Sequence, residues 1–183
     1  MIIKWDITIP QLSGDQVRKA YVYLPESYEE DPERRYPVMY LFDGHNVFFD
    51  EDATYGTSWG MYDYMEESGK QLILVGIECN REGDGRLREY APVTFEDSEL
   101  GRIEGEGKRY MHWLIKELKP YIDGNFRTLP DRENTLICGS SMGGLMALYA
   151  ATTFNHVFQR AACLSPSLWV APEKMLELIA RAH

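Results

Sequence analysis

The sequence predicts an α/β fold, a mostly parallel sheet with helices on both faces, and three observations point to it. Five short β-favouring runs recur, and the last four are apolar on both alternating faces, as strands covered on two sides must be. Segments with apolar residues at spacings of three and four lie between them, so strands alternate with helices. A serine flanked by glycines, in "GSSMG" (139–143), joins one such strand to one such helix.

The strands are expected at "KAYVYL" (19–24), "PVMYLF" (37–42), "QLILVGI" (71–77), "NTLIC" (134–138) and "RAACLS" (160–165). A helix is expected where Tyr110, Trp113, Leu114, Leu118 and Tyr121 repeat on one face. A second follows the glycine-rich turn over 143–154, and a third spans 172–182 with Met175, Leu176, Leu178 and Ile179. The polar stretch 26–35 reads as a connection. So does 80–107, which is longer than compact domains usually tolerate; it either roofs a site or is a solvated charged loop.

A length of 183 residues suits one domain, 1–183, with a real hydrophobic core. Apolar content of 44% and charged content of 26% are those of soluble globular chains. A net charge of -10 without a basic stripe argues against nucleic acid and anionic membranes as partners. No window offers the ~18 apolar residues of a membrane span, and the first residues do not read as an export signal. The three cysteines, Cys79, Cys138 and Cys163, lie inside apolar runs and are odd in number. They read as buried thiols of a reducing compartment, so a cytoplasmic location is expected.

The serine carries the chemistry. GxSxG occurs by chance often enough to be weak alone, but here it follows a buried strand and opens a helix of small and apolar residues, the setting of a nucleophile elbow. Gly139 and Gly143 are needed because a Cβ at either place would strike the neighbouring strand or helix. The nucleophile itself, Ser141, must hold a strained backbone conformation. At the helix N-terminus the free N–H of Met142 is aimed at any oxyanion formed nearby. An idle serine in a glycine-rich turn is the bland alternative.

A second site-like stretch, "YLFDGHNVFFD" (40–50), follows directly on a strand and lies at the same carboxyl edge. Gly44 lets the backbone approach a substrate carbonyl, and the His45 N–H supplies a second oxyanion donor. Asp43, His45, Asp50 and Asp52 are also a candidate set of hard-metal ligands, though without fixed-spacing support. "GRIEGEGKR" (101–109) lacks the spacing of a phosphate loop.

With these stretches in hand, the chain resembles the esterase family of α/β-hydrolases that includes enterochelin esterase, feruloyl esterases, S-formylglutathione hydrolase and the mycolyltransferases. The resemblance is carried by "YVYLPESY" (21–28), "YPVMYLFDGHNVFFD" (36–50), "LILVGIE" (72–78), "REYAP" (88–92), "NFRTLPDRENTLICGSSMGG" (125–144) and "VFQRAACLSPSLW" (157–169). It implies an α/β-hydrolase fold and a serine ester hydrolase of small-molecule esters, with no cofactor and no metal. Ser141 is the implied nucleophile and the N–H groups of Met142 and His45 the implied oxyanion hole. Trp59, Arg88, Glu89 and Tyr90 are placed on loops near the substrate. Tyr55 and Tyr62 add to an aromatic set that could stack on a ring or fill core space.

One departure stands out. The family follows its serine with an acid and then a histidine, whereas 142–183 holds no Asp and only His156 and His183. A helix over 143–154 leaves the active edge at ~1.5 Å per residue, which puts His156 roughly 18 Å from Ser141, against the ~3 Å that proton transfer needs. The returning strand brings Ser165, Pro166 and Ser167 back to that edge at ~3.3 Å per residue, and the last helix carries His183 away again. His112 lies on the polar face of its helix, and Glu173 and Glu177 read as solvated surface. The expectation is a C-terminally truncated form whose strand holding Leu164 is an exposed sheet edge, open to self-association. Such a chain is expected to be weakly active or inactive by itself. The alternatives are a non-catalytic remnant or binding module, an acyltransferase in the intact protein, or His45 doubling as base.

Overall fold

The computed structural model describes residues 1–182, which form a six-stranded sheet covered by helices. The chain enters through a hairpin of β1 (Ile2–Thr8) and β2 (Val17–Tyr23), antiparallel in a register that sets Ile2 opposite Tyr23; the single-turn helix α1 (Pro10–Ser13) joins them. After the short α2 (Ser27–Glu30), β3 (Val38–Phe42) runs up the centre. Helix α3 (Met61–Ser68) then carries the chain to β4 (Ile73–Ile77).

The long polar connection folds into α4 (Gly85–Glu89) and a small antiparallel pair, β5 (Phe95–Asp97) and β6 (Gly101–Ile103). Helices α5 (Gly107–Trp113) and α6 (Lys119–Asn125) follow, joined by a wide π turn over Leu114–Leu118. Pro120 lies just after that turn and has no N–H to give the preceding helix, so the looser turn takes up the missing bond and the ring. The remaining elements are β7 (Thr135–Ser140), α7 (Met142–Thr153), β8 (Arg160–Leu164) and α8 (Pro172–Arg181).

The strand order is β1-β2-β4-β3-β7-β8, with β4, β3, β7 and β8 parallel and the hairpin strands antiparallel. β3 is the switch point: the chain leaves it to one side for β4 and returns past it to β7. Crevices at the carboxyl ends of strands flanking such a point are where α/β sheets bind ligands.

Alternation in the strands divides the core between two faces. Val22, Tyr40, Phe42, Val75, Ile77 and Ile137 pack with Tyr110, Leu114, Leu145 and Tyr149 of the helices on one face. Tyr21, Tyr23, Leu41, Leu74 and Cys138 pack with Phe48 and Met65 on the other. The predicted mostly parallel α/β architecture is therefore the observed one.

Three expectations need correction. "RAACLS" is not covered on both sides: β8 ends the sheet, its residues alternate between exposed and half-buried, and Cys163 is half-buried where Cys79 and Cys138 are buried. β1 adds to the expected strands; its residues are exposed or half-buried, none fully buried, and present no continuous apolar run. Helix α3 adds to the expected helices for a similar reason, since only Met65 of its eight residues is buried. No helix among the described residues is long and apolar enough to cross a membrane.

Candidate active site

Among the described residues three non-glycine residues have positive φ, and their positions coincide with one edge of the sheet. Asp43 (φ 55°) follows the last residue of β3, Ser141 (φ 58°) that of β7, and Ser165 (φ 41°) that of β8. Such conformations cost side-chain-bearing residues of order 1–3 kcal/mol each and persist only where surrounding contacts dictate them. Strain is thus concentrated at the carboxyl ends of three adjacent parallel strands.

At Ser141 the contacts that hold it are explicit. Its N–H donates to the Leu164 carbonyl at 3.0 Å, and its carbonyl accepts from the N–H groups of Leu145 and Ser167, each at 3.0 Å. A Cβ on Gly139 would collide with the Gly143 carbonyl. One on Gly143 would lie 3.0 Å from Phe42 Cβ, and one on Gly144 2.9 Å from the Leu164 carbonyl oxygen. The glycines are therefore required by the crossing of β7, α7 and their neighbours, as the motif predicts. Ser141 itself is exposed, and its hydroxyl lies 3.1 Å from that of the buried Ser167.

The sequence returns Ser167 to this edge without assigning it a role. The only signal is the length of the returning strand.

Two sets of backbone N–H groups flank this edge. The first turn of α7 leaves the N–H of Met142 without an intrahelical partner, as every helix start does. In the tight turn Gly44–Asn46 the first internal bond runs from Asn46 N–H to the Asp43 carbonyl, 2.8 Å, so the N–H groups of Gly44 and His45 precede it. The two turns sit on paired strands, with Leu41 opposite Cys138, and they touch: a Cβ on Gly143 would be 3.4 Å from Asp43 Oδ2. Gly44 abuts Gly76 of β4 so closely that a side chain at either would strike the other's backbone. Its missing side chain is thus a packing requirement of the sheet, and it can meet a substrate only through its backbone.

Asp43, which precedes that turn, is buried and clamped. Arg86 of α4 donates to it in bidentate fashion, Nε to Oδ1 at 2.8 Å and Nη2 to Oδ2 at 2.7 Å, and the Asp43 N–H donates to the Tyr90 hydroxyl at 3.0 Å. Glu89 accepts from Arg18 at 2.9 Å and from the Asn80 N–H at 2.7 Å. Burial pushes the Glu89 carboxyl up to about 7, against the opposing pull of Arg18.

These contacts correct the placing of Glu89 and Tyr90 beside the substrate. Glu89 is 1% exposed and Tyr90 fully buried, so they brace the site from behind. Arg88 is half-buried and paired with Asp84 at 3.3 Å. Trp59 is half-buried, with its backbone N–H on the Asn46 carbonyl at 2.9 Å, while Tyr55 is almost fully exposed and Tyr62 packs against Tyr23 and Phe49. Of the aromatic set, only Tyr55, Trp59 and Tyr62 keep surface toward solvent.

The metal reading is corrected as well. Asp50 accepts from the Ser58 N–H and hydroxyl at 2.8 and 2.9 Å, and Asp52 pairs with Lys4 at 2.5 Å, so neither joins Asp43 and His45. A different trio, Asp43, His45 and Cys79, brings ligand atoms within 4.8 Å of one another. Both Asp43 oxygens are already on Arg86, and burial pushes the Cys79 thiol up, so a cation there would face a guanidinium and a protonated sulfur.

The histidines lie as their elements place them. His45 points its Nε2 at the Thr54 hydroxyl, 3.0 Å away, and burial lowers its pKa despite the nearby Asp43. His112 is exposed on α5, and His156 is exposed beyond the far end of α7. His183 lies outside the described residues. Among these residues the bond recorded for the Ser141 hydroxyl is the one to Ser167.

With this geometry, residues 13–177 match the family model described as Putative esterase. The chain belongs to that family. The chain is 25% identical over 154 residues to the uncharacterized protein YbbA of Bacillus subtilis, a match covering 83% of this chain and 58% of that protein. It is 29% identical over 147 residues to Esterase Rv1288 of Mycobacterium tuberculosis, covering 80% of this chain and 28% of that one. An IroE-like serine hydrolase from Shewanella oneidensis superposes with a TM-score of 0.77 at 26% identity, over 99% of this chain and 56% of its own. The chain thus spans less than two thirds of the length of these relatives.

Proposed function

We propose that this protein is a serine ester hydrolase in which Ser141 attacks the ester carbonyl and the N–H groups of Met142 and His45 hold the oxyanion. The observation that carries the reading is the backbone of Ser141, φ 58° and ψ -117°, which turns an exposed hydroxyl out of the sheet at the start of α7. A bond forms between Ser141 Oγ and the carbonyl carbon, the alcohol leaves with a proton, and water releases the acid from the acyl-enzyme. Membership of the esterase family and the likeness to a serine hydrolase support the same reading.

The proton of Ser141 needs an acceptor, and the three histidines among the described residues do not meet its hydroxyl in hydrogen-bond contact. On the described residues alone, acylation of Ser141 is therefore expected to be slow, resting on the oxyanion donors. The same observation favours a second reading, a non-catalytic folded module with an idle serine.

A fluorophosphonate probe separates them. The esterase reading expects Ser141 to be the labelled residue, slowly in this chain and quickly in a full-length protein that supplies a base, and Ser141→Ala to abolish both labelling and hydrolysis of p-nitrophenyl esters. Hydrolysis by the full-length protein that survives Ser141→Ala would end it. Labelling at normal speed in the 183-residue chain would remove the need for an outside base.

A further inference from the structure

We infer that Arg86 is a positioning residue of the oxyanion hole, acting through Asp43; the inference rests on the esterase reading above. His45 is two residues after Asp43, so the direction of its N–H is set by the backbone of Asp43, which stands in a left-handed conformation (φ 55°, ψ 46°) that an aspartate can adopt but at a cost that surrounding contacts must offset. Four contacts impose it. Arg86 grips both carboxylate oxygens, and the Tyr90 hydroxyl takes the N–H. The Asp43 carbonyl accepts from Asn46, and on the far side Asp43 packs against Gly143 in the first turn of α7. The carboxylate therefore sits where the two halves of the oxyanion hole meet.

Arg86 is itself anchored. Its helix, α4, is only five residues long and would not hold a geometry alone. Glu89, one turn on from Arg86, fastens the helix to Arg18 of β2 and to the Asn80 N–H, and Gly85 lets the helix start press against the Asn80 side chain. The guanidinium also lies over the Tyr90 ring, 5.4 Å from its centroid. The contacts form one line from the sheet to the site: Arg18, Glu89, Arg86, Asp43, His45. A planar two-donor fork suits this place, because a bidentate bond fixes the orientation of the carboxylate as well as its position.

The test uses the full-length protein with a p-nitrophenyl ester and a fluorophosphonate probe. Arg86→Gln should lower kcat about 100-fold, the scale of an ångström-level misplacement of a reacting group, while KM moves little. Arg86→Lys, which keeps the charge and loses the fork, should recover only a small part. Asp43→Asn, which tolerates the left-handed backbone, should cause a loss that overlaps that of Arg86→Gln, so the double variant is no worse than the poorer single one.

A kcat within about twofold of the parent overturns the inference, as does a rise in KM alone, which would make Arg86 a substrate contact. Multiplying losses in the double variant overturn it too. If Arg86→Gln does not fold, an unchanged kcat in Asp43→Asn overturns it equally. If the parent takes no probe at Ser141, the esterase reading fails, and this inference fails with it.

Discussion

Ser141, Asp43 and His45 show how a few backbone angles decide what a residue does here. Serine and aspartate are ordinary polar residues until hydrogen bonds on both sides force positive φ, whereupon one hydroxyl leaves the sheet and one carboxylate turns inward. His45 illustrates the opposite case, since its ring is buried with Nε2 on the Thr54 hydroxyl. Burial lowers its pKa from 6.5. A base so shifted stays neutral in the folded state while the unfolded chain takes up a proton, so its share of stability is complete above about pH 6.5 and lost as pH falls through the window below. The urea midpoint should therefore fall more between about pH 7 and pH 5 in the parent than in His45→Gln. Parallel profiles would contradict the neutral buried ring.

At the scale of elements, the 80–107 segment turns out to be a folded part of the domain, with α4, β5 and β6 in it. α4 meets Asp43 through Arg86, and the β5–β6 pair reaches the other side of the site edge, where Phe95 meets Trp169 at 5.9 Å between ring centres. The polar composition of this segment hides both contacts, because Arg86 and Phe95 find their partners far away in sequence. The Arg18–Glu89 pair lies 71 residues apart, with both side chains almost wholly buried. Removing one partner of such a pair strands the other without solvent, at a cost of about 3–5 kcal/mol. Glu89→Ala should lose that much in urea unfolding at about pH 8, where the carboxyl is ionised; a loss below about 1 kcal/mol, the scale of an exposed ion pair, would show that α4 is not anchored there.

At the scale of the whole molecule, the described sheet ends in β1 on one side and in β8 on the other, each paired along one side only. The β8 end carries the larger apolar surface, with Leu164 47% exposed and Leu168 and Trp169 exposed beyond it. An uncovered parallel strand presents unpaired N–H and C=O groups to any second chain. We propose that this edge self-associates. Sedimentation velocity at micromolar concentration should show a dimer that Leu164→Lys reduces toward monomer; a monomeric parent would dispose of the idea.

The parallel strands, the helices between them and the glycines that make the tight turn around Ser141 are legible in the sequence. Each depends on local rules: alternation for strands, a three-to-four repeat for helices, and the steric demand of a tight turn. What surrounds the serine is not legible there, because it depends on distant segments arriving at one edge. Arg86 on Asp43, Ser167 beside Ser141 and the retreat of Glu89 and Tyr90 into the core are all products of strand order. Periodicity says which face of an element is apolar; only packing chooses the partner that the face, or a buried charge, will meet.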